Sequence, residues 1–225
     1  MRATKRLSGN IQTMENTQIL SVDDPIDHPT VLRALMPVVN RLAAMGLPMP
    51  GKAAPLVLSV RTMQRILETA ARAGIGRDIA TQSAAVTTAL EAEPEAAARY
   101  FVTLAQVIEE SPAPAIEWAS MRAVFGDEML ESLLGVSRQS VIRYSKSERA
   151  TPDDIADRLH WLAMVVADLA GGYNEFGIRR WFQRPRSALG ERTPRQVLGT
   201  RWTSDSPGAK QVRALAAALL DIGAT

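Results

Sequence analysis

Apolar residues return every three or four positions along most of this chain, the period of one face of an α-helix. From Leu58 the rhythm is clear. Val60, Met63, Ile66, Leu67 and Ala70 share a face, and the glycines of "AGIG" (73–76) stop the run. "EPEAAARYFVTLAQVIEE" repeats the pattern. Pro94 suits a first helical turn, acids follow it, and Phe101, Leu104, Val107 and Ile108 form the stripe. Residues 151–170 predict a further helix, with Thr151 placed to cap it and Pro152 at its first position. Asp153 and Asp154 then oppose the macrodipole. Its main face is Ile155, Leu159, Leu162, Val166 and Leu169, yet Trp161, Met164 and Val165 lie away from that face. A helix apolar on two sides is deep in a core or shared with a partner. "TPRQ" (193–196) and "SPGAKQ" (206–211) repeat the capped start.

Elsewhere the pattern is weaker. Residues 31–45 predict a helix bent or broken near Pro37, and residues 77–92 an alanine-threonine helix. "LVLSV" (56–60) is the one strand candidate, and it is ambiguous. Residues 1–30 are polar and irregular and predict a flexible tail. "SPAPA" (111–115) punctuates the chain and marks a boundary. The expectation is therefore an all-α chain. A tail (1–30) leads into a helical N-terminal region (31–113), a degenerate helix-turn-helix region (114–150) and a small helical domain (151–225).

Composition sharpens this. The 225 residues are 46% hydrophobic and 22% charged, which predicts a packed core rather than disorder. There is no cysteine, which excludes disulfides, thiolate metal sites and cysteine nucleophiles. His28 and His160 are the only imidazoles, too few for a typical zinc site, so no metal or cofactor is expected. "MRATKRLSGNIQTMEN" has no apolar core and does not predict a secretory signal, and "WLAMVVADLAGG" is broken by Asp168 well short of a membrane span. A cytoplasmic protein without a membrane partner is expected.

Charge is uneven. Residues 138–201 hold twelve Lys/Arg and seven Asp/Glu, net +5, whereas residues 1–137 hold twelve and fifteen, net −3. A local basic segment is the footprint of nucleic acid or of an acidic protein partner. Catalytic readings find no foothold. "AGIG" follows no strand, and "GKAA" (51–54) lacks the rest of a phosphate loop. Asp153/Asp154 and Glu109/Glu110 read as helix ends, and His160 as a packed or exposed structural residue. The expectation is a binding protein, not an enzyme.

"DEMLESLLGVSRQSVIRYSKSER" (127–149) carries the sharpest local pattern: an eight-residue helix, a glycine-led turn, and a helix opened by Ser137. Gly135 supplies the left-handed turn, and Leu130, Leu134, Val136, Val141 and Ile142 supply the apolar lock. Ser137, Arg138, Gln139, Ser140 and Arg143 then lie near the start of a recognition helix, where base edges are met. Lys146 and Arg149 are better placed for phosphates. Glu131, four residues before the glycine, departs from the small residue usual there. It bends away or weakens the packing, and it would repel phosphate.

Residues from about 116 to 223 resemble the Xre/MbcA/ParS group of antitoxins. The likeness rests on "LLGVSRQSVIRYSKSER", "TPDDIADRLHWL", "RRWFQRPRSALGERTPRQVLG" and "SPGAKQVRALAAAL" in that order. It implies a C-terminal domain that binds and silences a RES-domain, NAD-consuming toxin. It also implies a helix-turn-helix that represses the operon by binding operator DNA, and a homodimer, which the two-faced helix 152–170 would also suit. The segment 1–110 is longer than the resemblance accounts for.

The stretch 179–198 then has a physical reading of its own. Trp181 and Phe182 anchor a short helix beginning near Asn174, which Arg184–Pro185 ends. Leu189 tucks inward, and rigid turns present the arginines on a small surface. Arg180, Trp181, Arg184, Arg186, Leu189, Arg192 and Arg195 are the expected toxin-binding residues, since Trp and Arg dominate binding hot spots. The alternative is a stand-alone helix-turn-helix transcription regulator whose N-terminal region senses a ligand or partner.

Overall fold

The computed structural model of the chain describes residues 5–12, 18–49, 56–75, 88, 90 and 93–222. The chain is predominantly helical, and it divides into two compact units. The first comprises residues 1–43 and 47–111, the second residues 44–46 and 112–225. The division falls at the proline-rich "SPAPA". The regions expected over 114–150 and 151–225 form a single unit.

The first unit departs from the all-helical expectation by a small sheet. Strands β1 (Lys5–Gln12), β2 (Gln18–Val22) and β3 (Leu56–Leu58) lie in that order. β1 runs antiparallel to β2, with Lys5 opposite Val22 and Gln12 opposite Gln18. β2 runs parallel to β3, with Ile19 beside Leu56. A parallel pair needs a crossover, and α1 (Pro29–Ala44) supplies it. The tail expected over 1–30 therefore contains two strands, and Val22 and Ile26 belong to the core. The polar side chains of 1–30 concealed this, because the ladder is made by backbone groups.

α1 continues through Pro37 instead of breaking there. Val31, Leu35, Val38, Val39 and Leu42 are buried along it. Ser59 ends β3 and caps α2 (Val60–Arg72), its Oγ accepting from the Thr62 amide at 3.2 Å. Met63, Ile66, Leu67 and Ala70 are buried as their spacing predicts. α3 (Pro94–Glu109) buries Phe101, Leu104 and Ile108, while Val107 is half-buried. Arg41 of α1 reaches α3, pairing with Glu109 at 2.8 Å and donating to the Ala105 carbonyl at 2.5 Å. The helix expected over 77–92 lies outside the described residues, apart from Thr88 and Leu90.

In the second unit α4 (Pro114–Leu134) is interrupted at Gly126, whose φ of 72° and ψ of 164° suit only glycine. α5 (Arg138–Ser145), α6 (Asp153–Leu169) and α7 (Glu175–Gln183) follow. A 3-10 turn (Ser187–Leu189), α8 (Pro194–Leu198) and α9 (Pro207–Ile222) complete the unit. Pro94, Pro194 and Pro207 each begin a helix, and Asp153 follows Pro152. Thr151 is not the cap of α6. Its Oγ1 accepts from Trp118 Nε1 at 2.9 Å.

α6 is the centre of this unit. α4 and α9 pack on it, and its residues from Leu159 to Leu169 are buried on every side. Trp161 meets Trp202 edge-on with ring centroids 4.7 Å apart. The second apolar face is thus covered by the chain itself, so the two-faced pattern gives no ground for a second copy. Asp168, the one acid in the apolar run, pairs with Arg213 of α9 at 2.5 Å.

α4 and α6 also share a buried carboxyl and imidazole. Glu117 is 0% exposed, and its Oε1 lies 2.5 Å from His160 Nδ1. Burial pushes the Glu117 carboxyl above its ordinary value near 4.5, while the His160 hydrogen bond and charge and the Ala113 amide pull the other way. A folded-state value above the unfolded one adds stability below pH 4.5 that is lost as pH rises through the raised value. Glu117→Gln keeps the shape and removes the ionisation. Its urea unfolding free energy is expected to gain on that of the parent as pH rises from 4 to 7. Parallel pH profiles for the two proteins would refute the assignment.

Candidate functional site

The pattern 127–149 folds as a helix, a glycine turn and a helix. The break at Gly126 leaves residues 127–134 as a separate straight segment of α4. Gly135 takes the left-handed conformation, φ 68° and ψ 33°, and its amide donates to the Glu131 carbonyl at 3.0 Å. The Val136 amide donates to the same carbonyl at 3.2 Å. Ser137 caps α5, its Oγ accepting from the Ser140 amide at 3.2 Å. Leu130, Leu134 and Val141 are buried in the corner, while Val136 and Ile142 are half-buried. Glu131 is half-buried too.

A helix leaves its last carbonyls without partners, and here the rest of the unit supplies them. Trp202 Nε1 donates to the Leu133 carbonyl at 2.7 Å. Arg158 Nη1 donates to the Leu134 carbonyl at 2.6 Å while its Nη2 pairs with Asp154 at 2.6 Å. Arg195 Nε donates to Ser132 Oγ at 2.8 Å. A Cβ on Gly135 would stand 2.1 Å from the Thr200 carbonyl oxygen, so this backbone closes directly on the turn.

The outer face of α5 remains open. Ser137, Arg138, Gln139, Arg143, Lys146 and Arg149 are exposed, and Ser140 is half-buried. Arg149 lies over the Tyr144 ring at 5.7 Å, and Lys146 stands 3.9 Å from Glu148. Tyr144 itself turns inward and stacks on Trp118 at 5.8 Å. At the other end of the corner Arg122 pairs with Asp127 at 2.6 Å and donates to Ser145 Oγ at 3.1 Å. The Arg122 hydrogen bond holds the Asp127 carboxyl below its ordinary range, with a smaller pull from Arg138. The Asp127 charge is thus paired with Arg122, and the pair meets α5 at Ser145, its last residue.

The arginine stretch divides by burial. Asn174 caps α7, its Oδ1 accepting from the Gly177 amide at 2.9 Å. Ile178, Trp181 and Phe182 line its inner face, and Phe182 meets Phe125 of α4 at 5.1 Å. Trp181 is 1% exposed and Leu189 is buried, so neither presents its side chain to a partner. Both belong to the core and shape the surface from beneath. Apolarity alone did not separate an anchor from a core residue. Arg186 lies 5.2 Å above the Trp181 ring and is half-buried. Its amide bonds the Arg192 carbonyl at 3.0 Å, closing a tight loop around Gly190. Arg180, Arg184, Arg192 and Arg195 are exposed. Thr193 and Gln196 form a capping box that starts α8.

The two sets of expected residues thus lie in one structure. Arg195 touches the first helix of the corner, and the chain just beyond α8 reaches its turn. Sequence reasoning missed Trp202 and Arg158, whose partners are carbonyls far away in sequence. It also missed Phe176, which is 63% exposed on α7. Among the described residues no group of acids and histidines is arranged to hold a metal ion, and no helix is long and apolar enough to cross a membrane. Compared with family models, curated proteins and solved structures, the chain matches none.

Gly135 tests the corner. Alanine there adopts a disfavoured φ, costing about 1–2 kcal/mol, and must displace the Thr200 backbone as well. Gly135→Ala is expected to lose more than about 2 kcal/mol in urea unfolding. A loss below about 0.5 kcal/mol would mean that the Thr200 segment does not bear on the turn.

Proposed function

We propose that this chain is an antitoxin of a type II toxin-antitoxin system, a cytoplasmic binding protein rather than an enzyme. On this reading the C-terminal unit neutralises a RES-type, NAD-consuming toxin, and α5 binds operator DNA to autoregulate the operon. The observation that carries it is the pairing, within one compact unit, of an open basic helix after a glycine turn with a rigid arginine corner built on Trp181 and Leu189. The resemblance of residues 116–223 to Xre/MbcA/ParS antitoxins supplies the identity of the partner. A site that admits NAD, a dianion, is itself positive, so arginines do not plug it by charge. Steric occlusion fits better: the corner docks beside the entrance and its arginines pair with carboxylates on the rim. Rim pairs mainly set association rate, and buried anchors set dissociation.

On this reading the exposed Arg138, Gln139 and Arg143 meet base edges, and Lys146 and Arg149 meet phosphates. The operator would be bound by a homodimer across two half-sites. Glu131 near the turn makes that binding modest, and the phosphate contacts of Lys146 and Arg149 make it sensitive to salt. Arg143→Ala is expected to weaken specific binding by about 1–3 kcal/mol in titrations against the promoter of its own operon. Equal affinity for the two proteins would remove α5 as the reading helix.

The second reading is a stand-alone regulator. What favours it is that the first unit is compact in itself and is longer than the antitoxin resemblance accounts for. Co-expression with a RES-domain protein encoded beside this chain separates the two. Under the antitoxin reading the parent preserves cellular NAD, and Arg184→Glu slows association with the toxin in a salt-dependent way. Deleting α9 is a poorer test, because it strips α6 and leaves the buried Asp168 without Arg213. If NAD falls equally with and without the parent chain, the regulator becomes the better reading.

A further inference from the structure

The outer face of α7 carries an unusual combination. Phe176, Arg180 and Gln183 follow the i, i+4, i+7 spacing of one stripe, and all three are exposed. Arg179 and Arg184 flank them. The opposite face, Ile178, Trp181 and Phe182, is locked into the core. Among the described residues only Val102 and Phe176 are large apolar side chains left exposed, at 52% and 63%. A lone exposed apolar residue is ordinary on any protein surface. Phe176 differs in how it is held and in what surrounds it.

It is held rigidly. The Asn174 cap fixes the first turn of α7, and Tyr173 packs against Gly177, where a Cβ would come within 3.0 Å of its ring. An aromatic side chain on a fixed backbone loses little entropy on binding, which is the property of a hot spot. Its surroundings are uncompensated. Residues 171–201 hold seven arginines (179, 180, 184, 186, 192, 195, 201) against two acids, Glu175 and Glu191, net +5. None of the seven forms an ion pair among the described residues. By contrast Arg41, Arg122, Arg158 and Arg213 each have a carboxylate partner. Arg186 rests on Trp181 and Arg195 reaches Ser132, but among the described residues none of the seven has a carboxylate beside it, so the region is complementary to an acidic surface.

We propose that the stripe Phe176–Arg180–Gln183 of α7 anchors a protein interface whose partner presents an apolar pocket rimmed by carboxylates, with Phe176 filling the pocket. This rests on the antitoxin reading and adds to it the residue that sets dissociation. The anchor is an exposed phenylalanine one turn before the buried Trp181. DNA fits the stripe less well, since a phosphate backbone offers no pocket for a phenyl ring.

The test uses the full-length chain and the purified product of the adjacent reading frame, in an immobilised-partner kinetic assay. Phe176→Ser is expected to raise the dissociation rate about thirtyfold with little change in association rate. Arg180→Glu is expected to slow association, more strongly at low salt. Because Phe176 is exposed, thermal unfolding of the Ser variant is expected to match the parent, which separates binding from folding. Phe176→Leu, which keeps an apolar side chain, is expected to recover most of the affinity. If the parent binds and Phe176→Ser dissociates at the parent rate, the anchor is refuted while the antitoxin reading stands. If the parent does not bind, both fall. If Phe176→Ser loses operator DNA but keeps the toxin, the stripe belongs to a nucleic-acid surface and the proposal is overturned.

Discussion

The second unit depends on how one helix ends. The carbonyls of Leu133 and Leu134 point out of the last turn of α4, where no residue of that helix can reach them. Left buried and bare, each would cost about 1–3 kcal/mol, comparable with a large share of a domain's net stability. Trp202 and Arg158 supply the donors, at 2.7 and 2.6 Å. Both are held by other interactions: Trp202 by the edge of Trp161, and Arg158 by Asp154. The helix end therefore fixes α6, the chain after α8 and the turn at Gly135 together. It also fixes the direction in which α5 leaves the corner. Any surface α5 offers is aimed by groups that lie far along the sequence.

This arrangement explains why the two expected functional surfaces are not separate modules. The arginine corner and the open face of α5 share the helix 127–134 as a common wall. Arg195 reaches that wall through Ser132, and Gln183 of α7 lies 4.0 Å from Met129 on it. On the antitoxin reading, a partner seated on the corner bears on the support of the recognition helix.

Much of the fold was legible because its signals are local. Prolines at 94, 194 and 207, the Ser137 cap and the left-handed Gly135 each act within four residues, and each sits where its chemistry predicts. Features that depend on distant partners were not legible. Thr151 looks like a cap in sequence, but Trp118 occupies its hydroxyl. His160 has a buried carboxyl partner 43 residues away. The strands of the first unit are joined by backbone bonds that leave no periodic mark in polar residues. At the candidate site, the basic residues of α5 were legible from the turn that precedes them. The exposed Phe176 of the proposed interface was not. Trp181 and Phe176 are both aromatic and lie on one short helix, and only the packing of Phe182 on Phe125 decides which face is hidden.

The brace on Leu133 has a temporal side. Its donor, Trp202, is added 69 residues later. At about 5–20 residues per second, synthesis leaves that carbonyl with water alone for about 3–14 s. Over that interval the growing chain already contains every residue of α5 but not the Trp202 brace behind it. A message cut short before Trp202 therefore yields a product with the complete basic helix and Arg158 as the one donor left for the carbonyls of Leu133 and Leu134.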